Sequence, residues 1–203
     1  MMALLLLACS DYSVYSPPPV PVADPPGTDP DAFFGSPPDW DSCTEAWSGY
    51  YYNLPADHPD LRPVEDVAPD PDAVDWWDPA YLAFRRDDAS LEFGASWWPV
   101  DQGFEEDPEW FSGRWAAWVR VRDAGAVTLV LGAVSDLWVG VDREWVVGRW
   151  GAEDLEGEAV EVQLPAGQFP IELRYAQRTE AGSGLRFRVA DPEVQLCYPD
   201  FSK

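Results

Sequence analysis

Two of the three basic residue types are nearly missing: Lys203 is the only lysine and His58 the only histidine, and 13 Lys and Arg face 37 Asp and Glu. The formal charge of -24 repels phosphate backbones and anionic headgroups, so nucleic acid is not an expected partner. One histidine supplies neither a second zinc ligand nor, amid prolines and without a Gly-x-Ser-x-Gly elbow, a base for nucleophilic catalysis. Long apolar runs are absent too. The run from Met1 to Ala8 falls well short of the roughly 20 residues that span a bilayer as helix. No extended 3.6-residue periodicity is found, which argues against a helical domain.

What is abundant is aromatic. Hydrophobic residues make up 46% of the 203, with 12 Trp, 9 Phe and 8 Tyr, enough for one well-filled core despite 21 Pro. The three cysteines, at 9, 43 and 197, are an odd number, which in a secreted chain calls for one pair and one thiol used otherwise.

Residues 1–8 with Cys9 end in LLAC, a small residue before cysteine, and resemble the signal peptide and lipobox of bacterial lipoproteins. The resemblance implies cleavage before Cys9, acylation there, and attachment to the membrane through that lipid anchor. Signal peptides normally begin with Lys or Arg, and none precedes the leucine run, so translation is expected to start further upstream. Ser10 rather than Asp after the cysteine implies delivery to the outer membrane, facing the periplasm or the cell surface. Cys43 and Cys197, near the two ends of what remains, are then expected to form a disulfide.

Residues 9–40 carry SPPPVPVADPPGTDPDAFFGSPPDW, a proline density that excludes helix and favours an extended, disordered linker. From residue 41 to 203 the pattern changes to alternation. Val160, Val162 and Leu164, then Phe169, Ile171, Leu173 and Tyr175, then Leu185, Phe187 and Val189 alternate with polar or small neighbours. Residues 115–122, 126–131 and 138–141 are rich in β-branched and aromatic types, with turn chemistry at 123–125, 142–144, 165–167 and 182–184. Residues 55–90 read mostly as loop, with a short helical turn near 81–85. The expected fold is an all-β antiparallel sandwich or barrel.

Phe111, Ser112, Arg114 and Trp115, followed by Gly125, Thr128, Gly132, Asp142 and Trp150, fall in an order that resembles the domain shared by anthrax protective antigen, yeast flocculins and many bacterial glycosidases. Residues 164–189 look like that family's closing strands, and WSGYYYN at 47–53 is similar to its opening strand. The resemblance implies a protective-antigen-type β-sandwich. It does not by itself carry an activity.

Sugar-binding members of that family hold calcium on two adjacent aspartates in the loop after the glycine that matches Gly132. Here the match gives Val134 and Ser135, or Ser135 and Asp136 with a shift of one, so the carboxylate pair is broken and tight calcium binding is not expected. By the resemblance, Ser135, Asp136, Trp138 and Asp142 are the residues expected at a ligand surface. No cofactor is expected; calcium is the one weak candidate. Asp57, His58 and Asp60, and separately Asp70, Asp72, Asp75 and Asp78, read as solvated loops rather than metal sites. Trp76 and Trp77, and Trp97 and Trp98, read as packing beneath the long loop.

These readings combine into an expectation of a monomeric, envelope-anchored, non-catalytic binding module whose partner is a glycan or an envelope protein. The alternatives are a calcium-assisted glycan-binding adhesin and a carbohydrate-active hydrolase, the latter resting only on the abundance of carboxylates.

Overall fold

A computed structural model describes residues 30–59, 69–99, 110–178 and 182–202, without the side chains of 30, 31 and 152–154. Residues 1–8, read as a signal peptide, together with Cys9, most of the proline-rich segment and Asp60, lie outside the described residues.

The strands are β1 (Trp47–Asn53), β2 (Leu82–Asp88), β3 (Leu91–Ala95), β4 (Phe111–Val121), β5 (Gly125–Val141), β6 (Glu144–Leu164), β7 (Gly167–Ala176), β8 (Gly184–Val189) and β9 (Val194–Cys197). All pairings are antiparallel, in the order β2-β1-β4-β7-β5-β8-β3, with β6 along β5 and β9 along β4. Because β2 and β3 follow each other in sequence yet sit at opposite ends of that order, the sheet curls over on itself and encloses the core.

Alternation places that core. Trp115, Ala117, Val119 and Val121 of β4, Ile171, Leu173 and Tyr175 of β7, and Leu185 and Phe187 of β8 all point inward, as expected from the sequence. The separate runs 126–131 and 138–141 are one continuous 17-residue strand. It serves both layers: residues 129–134 pair with β8 and residues 136–141 with β7, and Ser135 between them has φ 85°.

A second apolar layer lies outside the sheet. Phe33 and Phe34 of a short helix, α1 (Pro30–Phe34), and Trp76 and Trp77 of the long loop cover Tyr50, Tyr52, Ala116 and Trp138. Coverage of both faces explains why β1 is buried at every position instead of alternating.

Two expectations are corrected here. Packing begins within the segment read as linker: Phe33 and Trp40 are buried, and the Arg120 guanidinium lies 5.1 Å from the Trp40 ring. Residues 82–88 and 91–95 are strands, and the helical turn near 81–85 is replaced by a 3-10 turn at Pro79–Tyr81 capped by the Asp78 side chain. The expected disulfide is present. Cys43 and Cys197, with Cα atoms 5.6 Å apart, join the chain before β1 to the end of β9.

Candidate functional site

The corner at which β5 changes partner carries two of the sequence-predicted residues. A non-glycine residue at φ 85° is costly unless its surroundings hold it, and here they do. The Ser135 hydroxyl accepts a hydrogen bond from the Arg178 backbone N–H at 2.8 Å. Asp136, 0% exposed, accepts from the Gly151 N–H at 2.8 Å on one oxygen and from the Arg178 Nε on the other. Arg178 is itself 9% exposed, and its guanidinium stacks 5.1 Å from the Trp76 ring. Tyr175 completes the corner by donating to the Val134 carbonyl at 2.6 Å.

These residues do not fit a calcium ion. The oxygens that the shifted match would offer are already engaged, and the group facing Asp136 is a cation. A divalent ion would have to displace a buried guanidinium and then find most of its six to eight oxygens elsewhere.

Trp138, 3% exposed, packs against both Trp76 and Trp77 with ring centroids 6.0 and 5.9 Å away. Ser135, Asp136 and Trp138 are thus interior residues, so the ligand surface expected at those three positions is occupied by the protein's own side chains. Asp142 differs. It is exposed at the turn between β5 and β6, where it and Arg143 have φ 52° and 67°, as a two-residue hairpin turn demands.

The remaining buried acids are also internally bonded. Asp88 accepts from Tyr51 at 2.5 Å, Trp115 at 3.0 Å and Arg86 at 2.7 Å. Burial raises its pKa despite the lowering effect of Arg86 and the hydrogen bonds, while burial and the Asp88 charge push the Tyr51 phenol well up. Glu172 accepts from Arg114 at 2.5 Å and Arg174 at 2.6 Å. Asp72, read as solvated, accepts from Trp145 and Arg174 and ties the long loop to the sheet. His58, read as exposed, is buried, with Nε2 3.0 Å from Asp75 and its ring against Tyr81. Among the described residues no cluster of three His, Cys, Asp or Glu could hold a metal ion.

A groove of about 810 Å³ opens on the outer face, one of several hollows among the described residues. Trp118 and Pro170 are cross-strand partners among its lining, with Phe34 to Pro37 on one side, Asp142 and Arg143 on another, and Asp200 and Phe201 on a third. Its dimensions fall in the range of small-ligand sites. Sequence reasoning found Asp142 but neither Arg178 nor Phe201, since neither lies in a recognisable motif and only the fold brings each to its partners.

The architecture is the PA14-type fold. No family model matches the chain, and no curated protein matches it in sequence. Solved structures do match. The PA14 domain of the MpAFP antifreeze protein aligns with a TM-score of 0.52 at 13% identity, covering 82% of this chain and 96% of that one. The Epithelial Adhesin 9 A domain of Candida glabrata, in complex with Galb1-4GlcNAc, gives 0.50 at 12% identity, covering 83% and 95%. An anti-sigma factor domain-containing protein gives 0.51 at 17% identity over 78% of this chain, which spans 50% of that protein. At such identities the likeness establishes the fold and nothing further.

Proposed function

We propose that the chain is a lipid-anchored, non-catalytic binding module of the bacterial envelope that holds its ligand without calcium. Cys9 supplies the anchor, the proline-rich segment behind it the spacing, and the disulfide-closed sandwich the recognition surface. The observation that carries this reading is the partition of polar groups. Asp88, Asp136 and Glu172 are each paired with an arginine inside the fold, whereas Asp142 is exposed beside an open groove with aromatic walls. Buried, paired carboxylates stabilise the architecture and are withdrawn from acid–base work. Exposed charges beside apolar rings can hold and orient a ligand. The glycan complex of the Candida adhesin domain supports this reading as an analogy of fold.

The test is sedimentation of the full-length chain with purified, lipid-extracted envelope fragments, which offer the Cys9 lipid no bilayer. Saturable retention with no time-dependent release of soluble sugar is expected. Absence of retention would refute the binding role, and progressive sugar release would replace it with hydrolysis.

A further inference from the structure

Tension applied ahead of residue 30 enters the fold through contacts that follow one another along the chain. Phe33 of α1 is 1% exposed, with its ring 5.3 Å from that of Tyr50 and 3.6 Å from the Arg114 guanidinium. One residue on, the Phe34 carbonyl accepts from the Trp118 indole N–H at 2.9 Å. Ser36 and Asp200 then exchange backbone hydrogen bonds at 2.8 and 3.0 Å, and Gln195 Nε2 donates to the Trp40 carbonyl at 3.1 Å. Behind these stands a covalent stop, the bond between Cys43 and Cys197. Cys197 lies directly across from Trp118 in the pairing of β9 with β4. A pull from the N-terminal side therefore meets separate contacts in series, then the disulfide, and passes through β9 to the strand that carries Trp118.

The same residues build one side of the groove. Ala32 and Phe34 to Pro37 line it, and Gly35, at φ 56°, lets this wall approach the C-terminal segment: a Cβ there would lie 3.0 Å from both the Asp200 carbonyl and the Phe201 ring. The floor, Trp118 and Pro170, belongs to the paired strands β4 and β7. Wall and floor thus differ in what holds them. Contacts broken one at a time each resist with their own free energy alone, whereas the sandwich unfolds cooperatively. We propose that residues 30–42 are a strap that tension on the N-terminal anchor peels from the outer sheet face, taking away one wall of the groove, and that the disulfide arrests the peeling before it reaches the sandwich. Grip on a ligand seated in the groove is released by tension while the fold is kept. The proposal rests on the anchored binding role argued above and gives that role a mechanical regulator.

The experiment is single-molecule stretching of the full-length chain, with Cys9→Ser to keep that thiol out of exchange, held by peptide tags ligated to its two ends. In the oxidised chain the strap is expected to yield at a lower force than the sandwich, and no step should release the residues between Cys43 and Cys197. Reduction should add a step of about 550 Å, at up to about 3.6 Å per residue for a separation of 154 residues. Ser36→Cys with Asp200→Cys moves the stop, because an antiparallel pair that exchanges both hydrogen bonds holds its Cα atoms about 5.5 Å apart, within disulfide range. Once peptide mapping shows both bonds and the melting temperature is no lower than the parent's, this variant should lose about 35 Å of the oxidised extension, the length of residues 36–42 and 198–200. It should also prolong the lifetime, under tension, of the chain's attachment to lipid-extracted envelope fragments. An oxidised trace with no step below the force that unfolds the reduced chain, or a step that the second disulfide leaves unshortened, would overturn the strap. Equal lifetimes with and without that disulfide would overturn the release of grip. Absence of attachment at zero tension would overturn the binding role and the release of grip with it, while the stretching traces still decide the strap.

Discussion

Arg178→Met would leave the Asp136 carboxylate, 0% exposed, with the Gly151 N–H but without its guanidinium. Methionine approximates the length of the arginine stem and preserves packing against Trp76, so the change isolates the charge. Breaking a buried pair by removing one partner costs about 3–5 kcal/mol, because the other charge stays desolvated. At roughly 2–4 °C per kcal/mol for a domain of this size, melting should fall by some 6–20 °C. Asp136→Asn alone should also destabilise, by stranding Arg178. The double variant Asp136→Asn/Arg178→Met removes both charges and should recover at least half of the larger single loss, a coupling of about 2 kcal/mol or more. Calorimetric melts of the oxidised chain measure all four corners of the cycle. If the single changes cost less than about 1 kcal/mol, or add without coupling, the guanidinium does not hold this corner and the reasoning fails.

Other predictions follow from the same structure. Cys43→Ser opens a loop of 154 residues, worth up to about 5 kcal/mol by chain entropy, and should lower the melting temperature by roughly 10–20 °C without detaching the protein from membranes. Alkylation of either thiol in the oxidised native protein would falsify the bond. The Asp88 pKa lies above its ordinary 3.8, so its protonated form favours the folded state. That contribution is complete below pH 3.8 and is lost as pH rises through the raised folded value; Asp88→Asn should abolish this fall, and a melting-versus-pH profile left unchanged by the substitution would contradict it. Mass spectrometry of the mature protein should find acyl mass on Cys9, and Cys9→Ala should accumulate unprocessed precursor; an unmodified N-terminus elsewhere refutes the anchor.

Much of the fold was legible because inward residues alternate wherever only the partner face is polar, as in Leu185–Arg186–Phe187–Arg188. Where both faces are covered the pattern disappears. LAFRRDD at 82–88 reads as loop, yet it is a strand whose charges are absorbed by aromatic neighbours: Arg85 lies 4.4 Å from the Tyr50 ring and Arg86 4.8 Å from that of Tyr51, and Asp88 bonds Tyr51 and Trp115. Proline density likewise masked Phe33, Phe34 and Trp40, whose burial depends on an outer sheet face that local sequence does not reveal. That no pair of adjacent aspartates follows Gly132 was readable in the sequence, and the resemblance made it relevant to calcium. The pairing of Asp136 with Arg178 was not, because Arg178 lies 42 residues from Asp136 and meets it only through the β5 and β7 pairing.

The central claim, binding without a metal, is tested most directly by measuring retention of the full-length chain on lipid-extracted envelope fragments in EDTA and again in about 10 mM calcium, a concentration that would fill even a millimolar site. The account predicts the same half-saturation in both. Retention that vanishes in EDTA and returns with calcium would contradict it.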